Sequence, residues 1–287
     1  MKLNKKTKLV FILVAVFLIG LAVPSYSWTR KNVKEIETFY NSKLSPIIMI
    51  PGSSATENRF DGLVRKLNQD HRGVKHSLLK VKVWNNGRIT FEGKIKDKDN
   101  EPVIVIGFEN NKDGYNNIKK QTKMMNQAFE ALQNKYNFNN FKGLGHSNGG
   151  LIYTAFIENY LSDYDVKINS LMTIGTPYNF TETNIKNKSV MLADFIAAKE
   201  NIPSTLHVYS VAGTITYDSD ELVPDASVSA GKYIYQNQAK SYTEITVTGE
   251  DAQHSDLPTN DEVVELIKQH IEGQGVRKKQ KTNLEPQ

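Results

Sequence analysis

"FKGLGHSNGGLIYTAFIENYL", residues 141–161, sets a serine between two glycines, each two positions away. The residues before Ser147 read as a short strand and those after Gly149 as a helix. A strand that turns sharply into a helix presents the side chain at the turn on the C-terminal edge of a sheet. Such a turn crowds the positions two residues off, and Gly145 and Gly149 relieve that crowding. The helix start also brings backbone N–H groups near the serine hydroxyl. The stretch therefore predicts a strand, a presented nucleophile and a helix in one unit.

The neighbouring segments extend this pattern. Ile47 to Ile50 form a short apolar run closed by Pro51-Gly52, a buried strand and its turn. Alternation at Leu79, Val81 and Val83, then at Ile89 and Phe91, flanks Asn86-Gly87 and predicts a hairpin. "PVIVIGF" from Pro102 is a further buried strand. Ile118, Thr122, Met125, Phe129, Leu132 and Tyr136 recur every three or four residues, which predicts an amphipathic helix over 115–137. "INSLMTIGTP", "LHVYSVAG" and "SYTEITVTG" read as later strands, and "DEVVELIKQHI" as a last helix. Strands alternating with helices predict an α/β fold, its mainly parallel sheet covered by helices on both faces. An antiparallel hairpin lies near the N-terminal edge.

The ends of the chain carry its charge. Four lysines precede residue 28 and residues 273–287 add a net three, so the formal +5 leaves the body near −2. No broad basic face for nucleic acid follows from that. Lys2, Lys5, Lys6 and Lys8 stand before an apolar run from Leu9 to Val23, with small residues Ser25 and Ser27 ahead of Trp28. This predicts a signal peptide or N-terminal membrane anchor over 1–27 and export of the rest. A connecting segment over 28–43, a catalytic domain over 44–272 and a basic disordered tail over 273–287 complete the expected organisation. The chain has no cysteine, which excludes a thiol nucleophile, a disulfide framework and a cysteine zinc site.

A serine needs a base, and the base an orienting carboxylate. Of the histidines after Ser147, His207 opens a strand and His270 lies on the last helix. His254, in the loop "GEDAQHSDLP", is the one a sheet-edge loop brings over the serine. Asp218, Asp220, Glu221 and Asp225 follow the "VYSVAG" strand, and spacing does not rank Asp218 against Asp220. An attacked carbonyl also needs donors for its oxyanion. Asn148, directly after the serine, is one, and Ser53 or Ser54 in the loop after Ile50 is the other.

"GHSNGG", "DELVP" and "AQHSDL", with "IIMIPGSSA" upstream, resemble the alpha/beta-hydrolase superfamily. More closely they resemble a branch of bacterial cell-surface hydrolases found in lactobacilli and related Gram-positive organisms. The resemblance spans Leu44 to Ile271 and includes the hairpin and "PVIVIGFENN". It implies Asp220 as the acid, because the family acid precedes a hydrophobic-Val-Pro step; Glu221 stands where glycine is usual. It also implies Ser147 as nucleophile and His254 as base, and Pro51-Gly52 replaces a common His-Gly. The expected activity is that of an exported serine hydrolase, cleaving carboxylic esters of short or medium acyl chains without metal or cofactor. The substrate is then a small-molecule or lipid-like ester.

The same triad serves an amidase, peptidase or acyltransferase. A different class of reading is a non-catalytic surface binding protein whose basic tail touches anionic cell-wall polymers. Residues 178–204 are long for a connection. Phe180, Met191, Leu192, Phe195 and Ile196 read as an acyl-pocket lid or, more simply, as the core face of a crossover helix.

Overall fold

The computed structural model describes residues 4–69, 75–215 and 218–272. The predicted basic tail lies outside the described residues. The chain divides into two units, Met1–Ser42 and Lys43–Gln287.

The first unit is a single helix, α1, Lys5–Tyr40, with the Asn4 side chain accepting from the Lys6 N–H at its start. It runs through Pro24 and past Ser27, with no break at the expected cleavage site. None of its residues is buried, and by length and composition it is apolar enough to cross a membrane. At 1.5 Å per residue it is about 54 Å long.

The second unit is built on eight strands: β1 Ile47–Ile50, β2 Leu78–Val83, β3 Ile89–Gly93, β4 Val103–Phe108, β5 Asn140–His146, β6 Lys167–Ile174, β7 His207–Thr214 and β8 Ser241–Thr248. They form one sheet in the order β3-β2-β4-β1-β5-β6-β7-β8. Every neighbouring pair is parallel except β2 and β3, the predicted hairpin at the edge. Its turn closes with the Gly87 N–H donating to the Trp84 carbonyl. All four residues of β1 and all six of β4 are buried, as strands covered on both faces must be.

The covering helices are α2 Asp61–Gln69, α3 Tyr115–Tyr136, α4 Asn148–Asn159, α5 Val190–Ala198, two short helices α6 Asp225–Ser229 and α7 Lys232–Tyr235, and α8 Asp261–His270. On one face α2 and α8 bury Leu63, Val64, Leu67, Val263, Val264 and Ile267 against Ile47, Met49, Val103, Leu144 and Met172. On the other, α3 packs on α4, and the Phe129 ring lies 5.0 Å from those of Phe141 and Phe156. Each fully buried side chain of this size contributes about 1.5–3 kcal/mol. The α/β class, the parallel sheet and the edge hairpin are those the sequence predicts.

Helix α2 is an addition to the predicted elements, although Phe60, Leu63, Val64 and Leu67 have helical spacing and are buried. The 178–204 segment divides between the two expectations. Met191, Leu192 and Phe195 of α5 are buried core residues, whereas Phe180 faces a cleft beside Ser147.

Candidate active site

Ser147 sits between the end of β5 and the start of α4, with φ 55° and ψ −128°. Few residues adopt that conformation without strain, and it persists here because the surroundings fix it. The Ser147 N–H donates to the Ile174 carbonyl at 2.8 Å, tying the turn to the end of β6. A Cβ on Gly145 would lie 2.6 Å from the Gly150 nitrogen, and one on Gly149 only 2.0 Å from the Ile50 carbonyl oxygen. The two glycines thus let strand, helix and β1 close on one another, with the serine at the point of closure.

The loop after β1 reaches the same point. A Cβ on Gly52 would stand 2.6 Å from that of Ser147. Beyond it, Ser54 takes φ 59° and its N–H donates to the Asn111 carbonyl at 2.7 Å. That amide is spent. Asn148, as the first residue of α4, has no intrahelical acceptor for its own N–H. Its side-chain amide donates to Asp113 Oδ1 at 2.7 Å, and Asp113 Oδ1 also accepts from the Gly114 N–H at 2.6 Å.

Asp220 and His254 meet at the C-terminal edges of β7 and β8. His254 Nδ1 donates to Asp220 Oδ2 at 2.7 Å. Asp220 Oδ1 accepts from the N–H groups of Leu222 and Val223, at 3.1 and 2.7 Å. The backbone adds a further link, His254 N–H to the Asp220 carbonyl at 3.0 Å. Every carboxylate oxygen is therefore engaged, in a residue that is 1% exposed. The Glu221 backbone between these contacts has φ 78°, in the region that suits glycine. Asp218, which spacing did not rank against Asp220, is exposed.

Ser147, Asn148, Ser53, Ser54 and His254 all line one cleft of about 390 Å³, a volume suited to a small ligand. The Ser147 hydroxyl makes no side-chain hydrogen bond among the described residues. The His254 ring has its Nδ1 committed to Asp220, so Nε2 is the nitrogen left for a proton exchange. His207 and His270 lie elsewhere: the first bonds to the Ser241 hydroxyl at 2.7 Å, the second stacks on Tyr209 at 4.3 Å. No group of three or more histidine or carboxylate side chains among the described residues is gathered closely enough to hold a metal ion.

His146 belongs to the site but not to the predicted set. Its ring lies 4.9 Å from that of His254, and its Nε2–H donates to the His254 carbonyl at 2.9 Å. Burial holds its pKa well below the ordinary value, and the nearby His254 and Arg59 push the same way. A neutral ring at this position props the loop that carries His254. Its place directly before Ser147 was the only signal in the sequence.

The family described as alpha/beta hydrolase of unknown function (DUF915) matches residues 34–274. A crystal structure from Lactobacillus plantarum WCFS1, called a cell surface hydrolase, is 50% identical with a TM-score of 0.73, over 79% of this chain and 91% of that one. A protein from Listeria innocua is 29% identical with a TM-score of 0.74, over 82% of this chain and 96% of its own. No curated protein matches.

Proposed function

Since the chain belongs to the family of alpha/beta hydrolases of unknown function (DUF915), we propose that it is an exported serine hydrolase of carboxylic esters with short or medium acyl chains. The observation that carries this reading is the 2.7 Å His254–Asp220 pair, whose imidazole lines the same cleft as a serine held in a strained strand-to-helix turn.

In the proposed reaction His254 Nε2 takes the proton of Ser147 as Oγ attacks the ester carbonyl. Asp220 fixes the imidazole tautomer and stabilises its charged form. The N–H groups of Asn148 and Ser53 receive the oxyanion. Ser53 is preferred to Ser54 because the Ser54 amide already serves Asn111. Removing one such donor typically costs about 3 kcal/mol of transition-state stabilisation. Collapse of the intermediate expels the alcohol, which takes the proton from His254. Water then repeats the sequence on the acyl-serine and frees the acid. Pro177, Phe180, Leu222 and Val223 offer an apolar wall for a short acyl chain.

Export is supported by α1, whose apolar stretch behind lysines suits a signal or an anchor, and by the surface location in the name of the Lactobacillus relative. The test is hydrolysis of p-nitrophenyl esters of rising chain length, with Ser147→Ala beside the wild type. Release of p-nitrophenol should fall to background in the variant; a variant as active as wild type would reject the reading.

A further inference from the structure

The two walls of the cleft differ in chemistry. Ser147 follows β5, which lies between β1 and β6. The loops after β6 and β7 supply Pro177, Phe180, Leu222 and Val223, whereas those after β1 and β4 supply Ser53, Ser54, Arg59 and Asp113. The second wall is polar and holds two full charges of opposite sign.

Those charges are differently committed. Asp113 Oδ1 accepts from the Asn148 side chain and the Gly114 N–H, which fix one carboxylate oxygen beside Asn148. Arg59 is half-buried, and its Nη2 donates to the carbonyl of Ser255, the residue after His254. The charge of Asp256 favours the charged guanidinium, yet no carboxylate lies within ion-pair distance of Arg59 among the described residues. A guanidinium has five N–H donors in a planar fork suited to phosphate and carboxylate. Burying one without a carboxylate opposes its charge, and Arg59 lines the cleft with donors beyond the one given to Ser255.

We propose that the ester substrate carries an anionic group, phosphate or carboxylate, on its alcohol half, and that Arg59 binds it. This rests on the esterase reading above. The assignment to the alcohol half follows from position. His254 returns its proton to the leaving oxygen, and Arg59 is tied to the very next residue. A group held by Arg59 therefore lies on the leaving-group side, with the acyl chain against the apolar wall.

The experiment compares 1-butyrylglycerol 3-phosphate with uncharged 1-butyrylglycerol, and 3-butyryloxypropanoate with propyl butyrate, by butyrate release from the full chain. The wild type should favour at least one charged ester by about tenfold or more in kcat/KM, chiefly through KM. The ester favoured distinguishes phosphate from carboxylate. Arg59→Gln removes the charge and the Nη2 donor to the Ser255 carbonyl. It should erase the preference, costing the favoured charged ester about tenfold more in kcat/KM than its neutral counterpart. As a measurement free of any variant, glycerol 3-phosphate or 3-hydroxypropanoate, matching the favoured ester, should inhibit neutral-ester hydrolysis competitively where glycerol does not. Equal rates on charged and neutral esters, or an equal loss on both in Arg59→Gln, would overturn the proposal while the esterase reading stands. Cleavage of none of the four by folded wild type would overturn both.

Discussion

Replacing Glu158 by glutamine should stabilise the folded domain by about 3 kcal/mol at pH 7. Glu158 lies on α4, the helix that begins at Ser147, and is 4% exposed. Its Oε1 is buried with no hydrogen-bond partner among the described residues. Burial pushes the carboxyl from 4.5 up to about 9. Between those values the folded state holds a proton that the unfolded chain releases, so this group's contribution is fully present below pH 4.5 and is lost as pH rises towards 9. At pH 7 folding must recapture the proton across about 2.5 pH units, at roughly 1.4 kcal/mol each. Glutamine has the shape of the protonated acid and no such debt. Urea unfolding of both proteins at pH 5 and pH 7 provides the assay. The gap should be below about 1 kcal/mol at pH 5 and near 3 at pH 7. A gap of equal size at both pH values would show that Glu158 does not take up a proton on folding.

Asp220→Asn should keep the fold and lower kcat on p-nitrophenyl esters by about three to four orders of magnitude, through loss of the imidazole tautomer; activity within tenfold of wild type would contradict this. Glu221→Gly relieves the φ of 78°. It should raise the unfolding free energy by about 1 kcal/mol with activity unchanged, measured by urea titration and ester turnover. Gly149→Ala drives a methyl group into the Ile50 carbonyl, 2.0 Å away. It should cost at least about 2 kcal/mol and most of the activity together, seen by thermal melting and turnover.

The sheet was legible because buried parallel strands are short continuous apolar runs, as in "IIMI" and "VIVIGF". The strand-to-helix turn at Ser147 was legible for a local reason, since its glycines and serine lie within five residues. Features set by distant partners were not. The Ser54 amide is taken up by the Asn111 carbonyl, 57 positions along the chain. The contact of His146 with the His254 carbonyl spans 108 positions, and only its place beside Ser147 hints at it. Helix α2 has only nine residues, three of them buried, among polar neighbours that mask its period. Between Asp218 and Asp220 spacing was silent. The family resemblance favoured Asp220, whose side chain is the one bonded to His254, while Asp218 is exposed.

The central claim is that one alcohol among many in this chain is reactive. Treatment of the folded protein with a fluorophosphonate, followed by peptide mass mapping, tests it most directly. A single adduct is expected on the peptide that contains Ser147, and none in Ser147→Ala. An adduct on another residue, or a folded protein that takes up no probe, would contradict it.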